Sequence, residues 1–149
     1  MTLREKLADD LKSAMKNKDT VAKDTIQIVR AGVLQIEKDQ RVEITDAHVI
    51  DVVQKEIKKR REVMPDFERA QRQDLVDLTN KQLEILANYL PPQMSDEDLK
   101  AAIAAIIAKT GASTKKDMGK VMQEAKTELS GKADNTKIST TIKDMLENL

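Results

Sequence analysis

The sequence predicts an all-α protein, with an N-terminal helical domain of about four helices and a small C-terminal three-helix domain. Three observations lead to this prediction. Apolar residues recur at helical spacing along most of the chain, and no alternating strand pattern of useful length interrupts them. Glycine and proline are scarce, at four and three residues, which favours long helices over many turns. The core must be aliphatic, because the chain has one Phe, one Tyr and no Trp.

The first two helices are predicted from a cap and from wide apolar faces. Thr2 and Glu5 match a capping box, in which each side chain accepts a hydrogen bond from the other residue's free amide. A helix that begins there places five apolar side chains on one face: Leu3, Leu7, Leu11, Ala14 and Met15. A second helix, over residues 20–37, is apolar over an arc wide enough to contact neighbours on two sides: Val21, Ile26, Ile28, Val29, Val33 and Ile36.

The next two helices are separated by a proline. A loop over residues 39–45 precedes a third helix, which Thr45 or Asp46 caps and which ends in the charged run KEIKKRRE. Its predicted buried residues are Val49, Ile50, Val53 and Ile57. Pro65 is expected to interrupt this helix and to begin a short helical turn, PDFERA, because proline lacks an amide donor. A fourth helix, over residues 72–90, presents a row of leucines: Leu75, Leu78, Leu83, Leu86 and Leu90.

The stretch YLPPQMSDEDL marks a domain boundary. Pro91 and Pro92 cannot continue a helix, and Ser95 caps the next one, whose first turn carries three acidic residues that favour its positive end. We therefore divide the chain into a domain over residues 1–90, a proline-containing linker over 91–95 and a C-terminal domain over 96–149. Helices are predicted over 96–110, 114–129 and 135–148, with Gly111 and Gly131 in the left-handed conformation that closes the first two.

The composition excludes several kinds of site. Without cysteine there is no disulfide and no thiolate metal site. No apolar run approaches the roughly 18–20 residues of a membrane span, and the first residues resemble neither a signal nor a transit peptide, so we expect a cytoplasmic protein with no membrane partner. Basic and acidic residues number 26 each, so any site for a polyanion must come from local clustering.

No residue set with catalytic character is found. His48 is the only histidine, and with no Ser or Cys nucleophile beside it we interpret it as a surface or capping residue. Neither a metal-binding motif nor a phosphate-binding glycine loop is present, and no pair of carboxylates is placed for acid–base chemistry. The sequence therefore predicts no catalytic residue, no metal, no cofactor and no enzymatic activity.

Two lysine-rich features remain. The run KKRR at residues 58–61 wraps around most of a helical turn, at ~100° per residue, and we interpret it as a solvated helix end. In the segment 114–132, Lys116 and Lys120 fall opposite an apolar arc, with Gly119 at the edge of their side. Seven lysines and four acidic residues lie between positions 115 and 143. The apolar arc is read as core, with its methionines as packing residues: Met118, Val121, Met122, Ala125 and Leu129.

Two interpretations of this segment are open. Gly131 and Lys132 form a tight corner into the last helix, and a corner with free amides and lysines suits phosphate contact. The hypothesis is one cationic pocket at this corner. The alternative is a capped helical hairpin with ordinary solvated lysines, which the physical pattern alone favours.

Four stretches identify a family resemblance. YLPPQMSDEDL, MGKVM and GKAD, together with the upstream QKEIKKRREV, resemble the GatB/YqeY family over almost the whole chain. The resemblance implies a two-part helical protein, similar to the C-terminal tail of the GatB component of the aspartyl/glutamyl-tRNA amidotransferase, which contacts tRNA. By position it implies a nucleic-acid-binding set, in which Lys116 enters by helical position only: Lys116, Gly119, Lys120, Gly131 and Lys132.

Three functional hypotheses follow from the resemblance and the residues. The first is a non-catalytic module that contacts tRNA through the C-terminal helical corner, alone or beside an amidotransferase or another translation-related protein. The second is a protein-interaction adaptor without RNA binding. The third is a component of a glutamine-dependent carbon–nitrogen ligase complex, although the tail carries no ligase chemistry of its own. Asn135 and Gln71 stand where relatives often have Gly, so the turn after GKAD and the loop after PDFERA depart from the family pattern at these residues.

Overall fold

The structure is a computed structural model that describes residues 1–149, and its seven α-helices without strands confirm the all-α prediction. Residues Met1–Leu90 form one compact unit and residues Pro91–Leu149 form another. The first unit contains α1 (Leu3–Lys16), α2 (Thr20–Gln40), α3 (Asp46–Arg69) and α4 (Gln73–Ala87). The second contains α5 (Asp96–Thr110), a 3-10 turn (Lys115–Asp117), α6 (Met118–Glu128) and α7 (Asn135–Glu147).

The predicted caps are present at the helix starts. The Thr2 hydroxyl accepts from the Glu5 amide at 3.1 Å, while Glu5 accepts from the Thr2 amide at 3.2 Å. His48 caps α3, since its Nδ1 accepts from the Thr45 amide at 3.0 Å, which confirms its interpretation as a capping residue. Ser95 accepts from the Asp98 amide at 3.1 Å and so begins α5 as predicted.

The first unit has an aliphatic core to which all four helices contribute. Leu7, Val29, Val53 and Leu86 are fully buried, one from each helix. Gly32 of α2 allows close approach to α3, because a Cβ at this position would lie 2.7 Å from Cγ1 of Val52. The crossing of these two helices therefore depends on the absence of a side chain at residue 32.

Several expectations for the first unit are corrected. Pro65 lies inside α3 and does not end it. It is exposed, so the helix can bend away on its solvent side while the following turn continues. The second helix extends to Gln40, and Arg41 takes the left-handed conformation, with φ 51°, that ends it. Four residues predicted to be buried are more exposed than expected: Met15 at 58%, Ile28 at 42% and Leu78 at 37%, while Ile50 is half-buried.

Tyr89, which follows α4, contacts two residues of α1. Its ring is buried, and its hydroxyl donates a hydrogen bond to Asp10. Lys6 Nζ lies 4.8 Å from the ring centroid and donates to the Asn88 carbonyl at 3.0 Å. Burial first, and then the hydrogen bond to Asp10, raise the pKa of Tyr89 well above its usual range.

The second unit is a three-helix arrangement with its own apolar core. Ile103, Val121 and Ile142 are fully buried, one from each helix. The arc predicted for the second of these helices faces the core, including its two methionines, which are half-buried against the cluster. Gly111 and Gly131 have φ of 71° and 77°, as expected for residues that close a helix. None of the helices combines the length and the apolar character that a membrane crossing requires.

Candidate nucleic-acid interface

The start of α6 is built on one carboxylate. Asp117 Oδ2 accepts from the amides of Ser113 at 2.9 Å and Thr114 at 3.2 Å, and these bonds hold the pKa of Asp117 below its usual range. The charge of Lys120 contributes to the same shift, but less than the amides do. The carboxylate thereby closes the turn that carries Lys115 and Lys116, and backbone amides are its main partners.

The exposed side of α6 carries the predicted residues of its first half. Lys116, Gly119 and Lys120 are all exposed. Apart from the backbone of its own helix and its chain neighbours, no heavy atom lies within 4 Å of a Cβ built at Gly119, so the surface is open there. Lys126 is also exposed and falls beside Gly119 at ~100° per residue. Lys126 was not singled out from the sequence, although the same rotation could have found it.

The acidic residues of α6 face a different partner. Glu124 and Glu128, one turn apart, both bind the ammonium group of Lys109 on α5, at 2.8 and 2.9 Å. The hydrogen bond from Lys109 lowers the pKa of Glu124, and the hydrogen bonds to Glu124 and Glu128 raise the pKa of Lys109. Sequence reasoning missed this cluster, because its partners are 15 and 19 residues apart and no local pattern connects them.

Two further lysines of the second unit are also held by carboxylates. Lys115 pairs with Glu147 of α7 at 2.6 Å, and Lys137 of α7 pairs with Asp96 of α5. These pairs connect the helices of the domain. The ion-paired lysines of this unit are Lys109, Lys115 and Lys137. The predicted lysines Lys116, Lys120 and Lys132 are not in these pairs.

The corner after α6 is partly covered by its own chain. Gly131 is buried, and its carbonyl accepts from Gln93 Nε2 at 2.7 Å. The Lys132 carbonyl accepts from the Met94 amide at 2.9 Å, while Lys132 itself is exposed. Gly131 therefore forms the turn without offering its surface to a ligand. The lysine beside it remains accessible.

The predicted lysines lie on both sides of α6 along the chain. Lys116 and Lys120 lie at the start of α6, and Lys132 lies beyond its end at Glu128. At about 1.5 Å per residue, Lys120 and Glu128 are roughly 12 Å apart along the helix axis. The burial of Gly131 corrects the hypothesis of an open corner at that residue, while the exposed lysines flank α6, with Lys116 and Lys120 at its start and Lys132 beyond its end.

Glu56 pairs with two of the four cations of the KKRR run on α3. Glu56 binds Lys59 at 3.3 Å and Arg60 at 2.7 Å, and Arg60 Nε also donates to Gln82 of α4 at 3.0 Å. The Arg60 side chain is only 12% exposed. Burial opposes ionisation of Glu56, but the hydrogen bonds from Arg60 and Lys59 lower its pKa overall. Because α3 continues past Pro65, this run lies within the helix rather than at its end.

Comparisons with known proteins found one family model and several relatives. A family model described as "Yqey-like protein" matches residues 4–146. "Altered inheritance of mitochondria protein 41, mitochondrial" of Pyrenophora tritici-repentis is 28% identical, over 95% of this chain and 79% of its own length. The Kluyveromyces lactis protein of the same name is 34% identical, over 68% of this chain and 56% of its own length. An uncharacterized Schizosaccharomyces pombe protein is 31% identical, over 63% of this chain and 73% of its own length.

Proposed function

The chain belongs to the YqeY-like family, and from that premise we propose that its C-terminal unit contacts tRNA without catalysing a reaction. The contact is made by the ammonium groups of Lys116, Lys120 and Lys132 with backbone phosphates. Gly119 gives a phosphate access to the surface of α6, and Gly131 sets the corner that presents Lys132. Neither the family description nor the names of the relatives includes an enzyme, which is consistent with a non-catalytic role.

One observation carries this proposal: the carboxylates of the α6 region are bound by other donors, whereas Lys116 and Lys120 are held in no ion pair. Asp117 is engaged by amides, and Glu124 and Glu128 by Lys109. Lys116 and Lys120 therefore project from a surface whose neighbouring carboxylates already have partners. An ammonium group that is not held in an ion pair can neutralise a phosphate and release its counterions.

The test is a titration of tRNA at low salt with the wild type and a triple lysine variant, Lys116→Glu, Lys120→Glu and Lys132→Glu. We expect the variant to bind at least about tenfold more weakly. The slope of log K against log salt should become shallower by about 3, one unit for each lost phosphate contact. A matched control carries the same charge change on exposed lysines of the first unit, as Lys12→Glu, Lys38→Glu and Lys58→Glu. Equal binding by the wild type and the triple lysine variant would refute the proposal.

Gly119→Ala tests the close approach separately from charge. The added methyl meets nothing in the protein, so the fold is kept. If a phosphate approaches the backbone here, the variant binds tRNA several-fold more weakly at unchanged salt slope. Unchanged affinity would remove Gly119 from the interface and leave the lysine contacts in place.

A protein partner is the second candidate, and exposed apolar side chains favour it. Ile28 and Leu34 of α2 are 42% and 43% exposed, so neither is fully used in the core of the first unit. The partner would be an amidotransferase or another translation-related protein, bound through the first unit. This candidate would be favoured if that protein is still captured after nuclease treatment, and if the triple lysine variant captures it equally well. The cytoplasmic location stays a prediction, and two of the three relatives described above carry "mitochondrial" in their names.

A further inference from the structure

The two units differ in the chemistry of their cations and rings. All nine basic residues from Pro91 to Leu149 are lysines. That unit has no arginine, no histidine and no aromatic residue, because Phe67, Tyr89, His48 and every arginine lie in the first unit. The interface proposed above must therefore act with lysine, backbone and small polar groups alone.

This inventory limits what such an interface can recognise in RNA. Proteins read RNA sequence mainly from unstacked bases, which they hold against aromatic rings or guanidinium planes. A lysine ammonium is a compact point charge without a planar face, so it binds phosphate well and stacks on nothing. The second unit therefore has the means to bind a phosphate backbone and lacks the usual means to hold a free base.

The spacing of the lysines adds a geometric condition. Lys120 lies in the first turn of α6 and Lys132 follows its end, and the core face of this helix is packed against α5 and α7. The ligand must present phosphates at both positions at once. A double helix holds its phosphates in place beforehand, whereas a single strand loses conformational freedom on binding and gains no base stacking here in return.

We infer that the second unit recognises double-helical segments of a folded RNA by the placement of their phosphates, independently of base sequence. This inference rests on the proposed function and specifies the ligand of the same surface. With three phosphates engaged, the slope of log K against log salt is about −2.7 for a duplex and about −2.1 for a single strand. At about 50 mM salt this difference alone corresponds to roughly sixfold tighter binding of the duplex.

The experiment uses the full chain and four labelled ligands: tRNA, two RNA duplexes of about 16 base pairs with unrelated sequences, and an unstructured single strand of equal length. We expect the two duplexes to bind within about twofold of each other, and both at least about fivefold tighter than the single strand. The triple lysine variant should lose this preference.

Two results overturn the inference and leave the proposed function intact. One is tRNA binding that depends on the three lysines, together with a single strand that binds as tightly as the duplexes. The other is a difference of about tenfold or more between the two duplex sequences, which phosphate contacts alone cannot produce. Failure of the proposed function looks different, because tRNA then binds neither the wild type nor the triple lysine variant, or binds both equally.

Discussion

Replacing Gly32 by alanine tests the close crossing of α2 and α3. Gly32 lies in the interior of α2, where a Cβ would stand 2.7 Å from a methyl carbon of Val52. Val52 is buried, and a β-branched side chain has little freedom to turn away. The added methyl must therefore push the two helices apart or force Val52 from its preferred rotamer.

The expected magnitude is the difference between two opposing effects. Alanine is favoured over glycine in a helix interior by about 1 kcal/mol, whereas an extra methyl group in a packed core costs about 1–3 kcal/mol. Gly32→Ala should therefore lower the free energy of unfolding of the first unit by about 1 kcal/mol, and by no more than ~2 kcal/mol. Val52→Ala alone removes two buried methyl groups and should cost about 2 kcal/mol. Because the double variant relieves the clash, its loss should be smaller than the sum by at least ~1 kcal/mol.

The assay is a urea titration followed by the fluorescence of Tyr89. This residue is the only tyrosine in a chain without tryptophan. It belongs to the same core as Val52, the residue that Gly32 contacts. Gly119→Ala is the matched control, since the same methyl there meets no heavy atom within 4 Å outside its own helix backbone and chain neighbours. Its amide hydrogen exchange in α6 should be no faster than in the wild type. A Gly32→Ala variant as stable as the wild type, or more stable, would refute this reasoning.

Four further predictions concern local interactions. Tyr89→Phe removes the hydrogen bond to Asp10 and should destabilise the first unit by about 1–2 kcal/mol, measured by circular dichroism in urea. The raised pKa of Tyr89 adds stability below about pH 10, the usual tyrosine value, and this is lost as the pH rises further, so near-ultraviolet titration should show no tyrosinate at about pH 10. Ser95→Ala removes the α5 cap and should cost about 1 kcal/mol, seen as faster amide exchange in that helix. The lowered pKa values of Asp117 and Asp96 stabilise the second unit above about pH 4, so its urea midpoint should fall as the pH drops below that value, and a constant midpoint would contradict these contacts.

Much of the fold could be read from local patterns. The Thr2 and Ser95 caps, the left-handed Gly111 and the core-facing arc of α6 depend on residues close to one another in sequence. Sequence spacing determines such interactions, because the helix repeat fixes which side chains meet. The same holds for the exposure of Lys116 and Lys120, which follows from the position of the apolar arc.

The tertiary structure decided which charges are neutralised and which backbone is covered. Lys109 meets Glu124 and Glu128 only because α5 packs beside α6, and Gln93 reaches the Gly131 carbonyl across 38 residues of sequence. Pro65 stays within α3 although the local rule predicts a break there. The ion pairs of Lys109 and the covering of Gly131 depend on contacts between segments distant in the chain, and helical periodicity carries no information about which distant segments pack together. The sequence by itself therefore determined the helices and the lysines on their surface, and only their packing decided that Lys116 and Lys120 stay outside the ion pairs of the unit while Gly131 is buried.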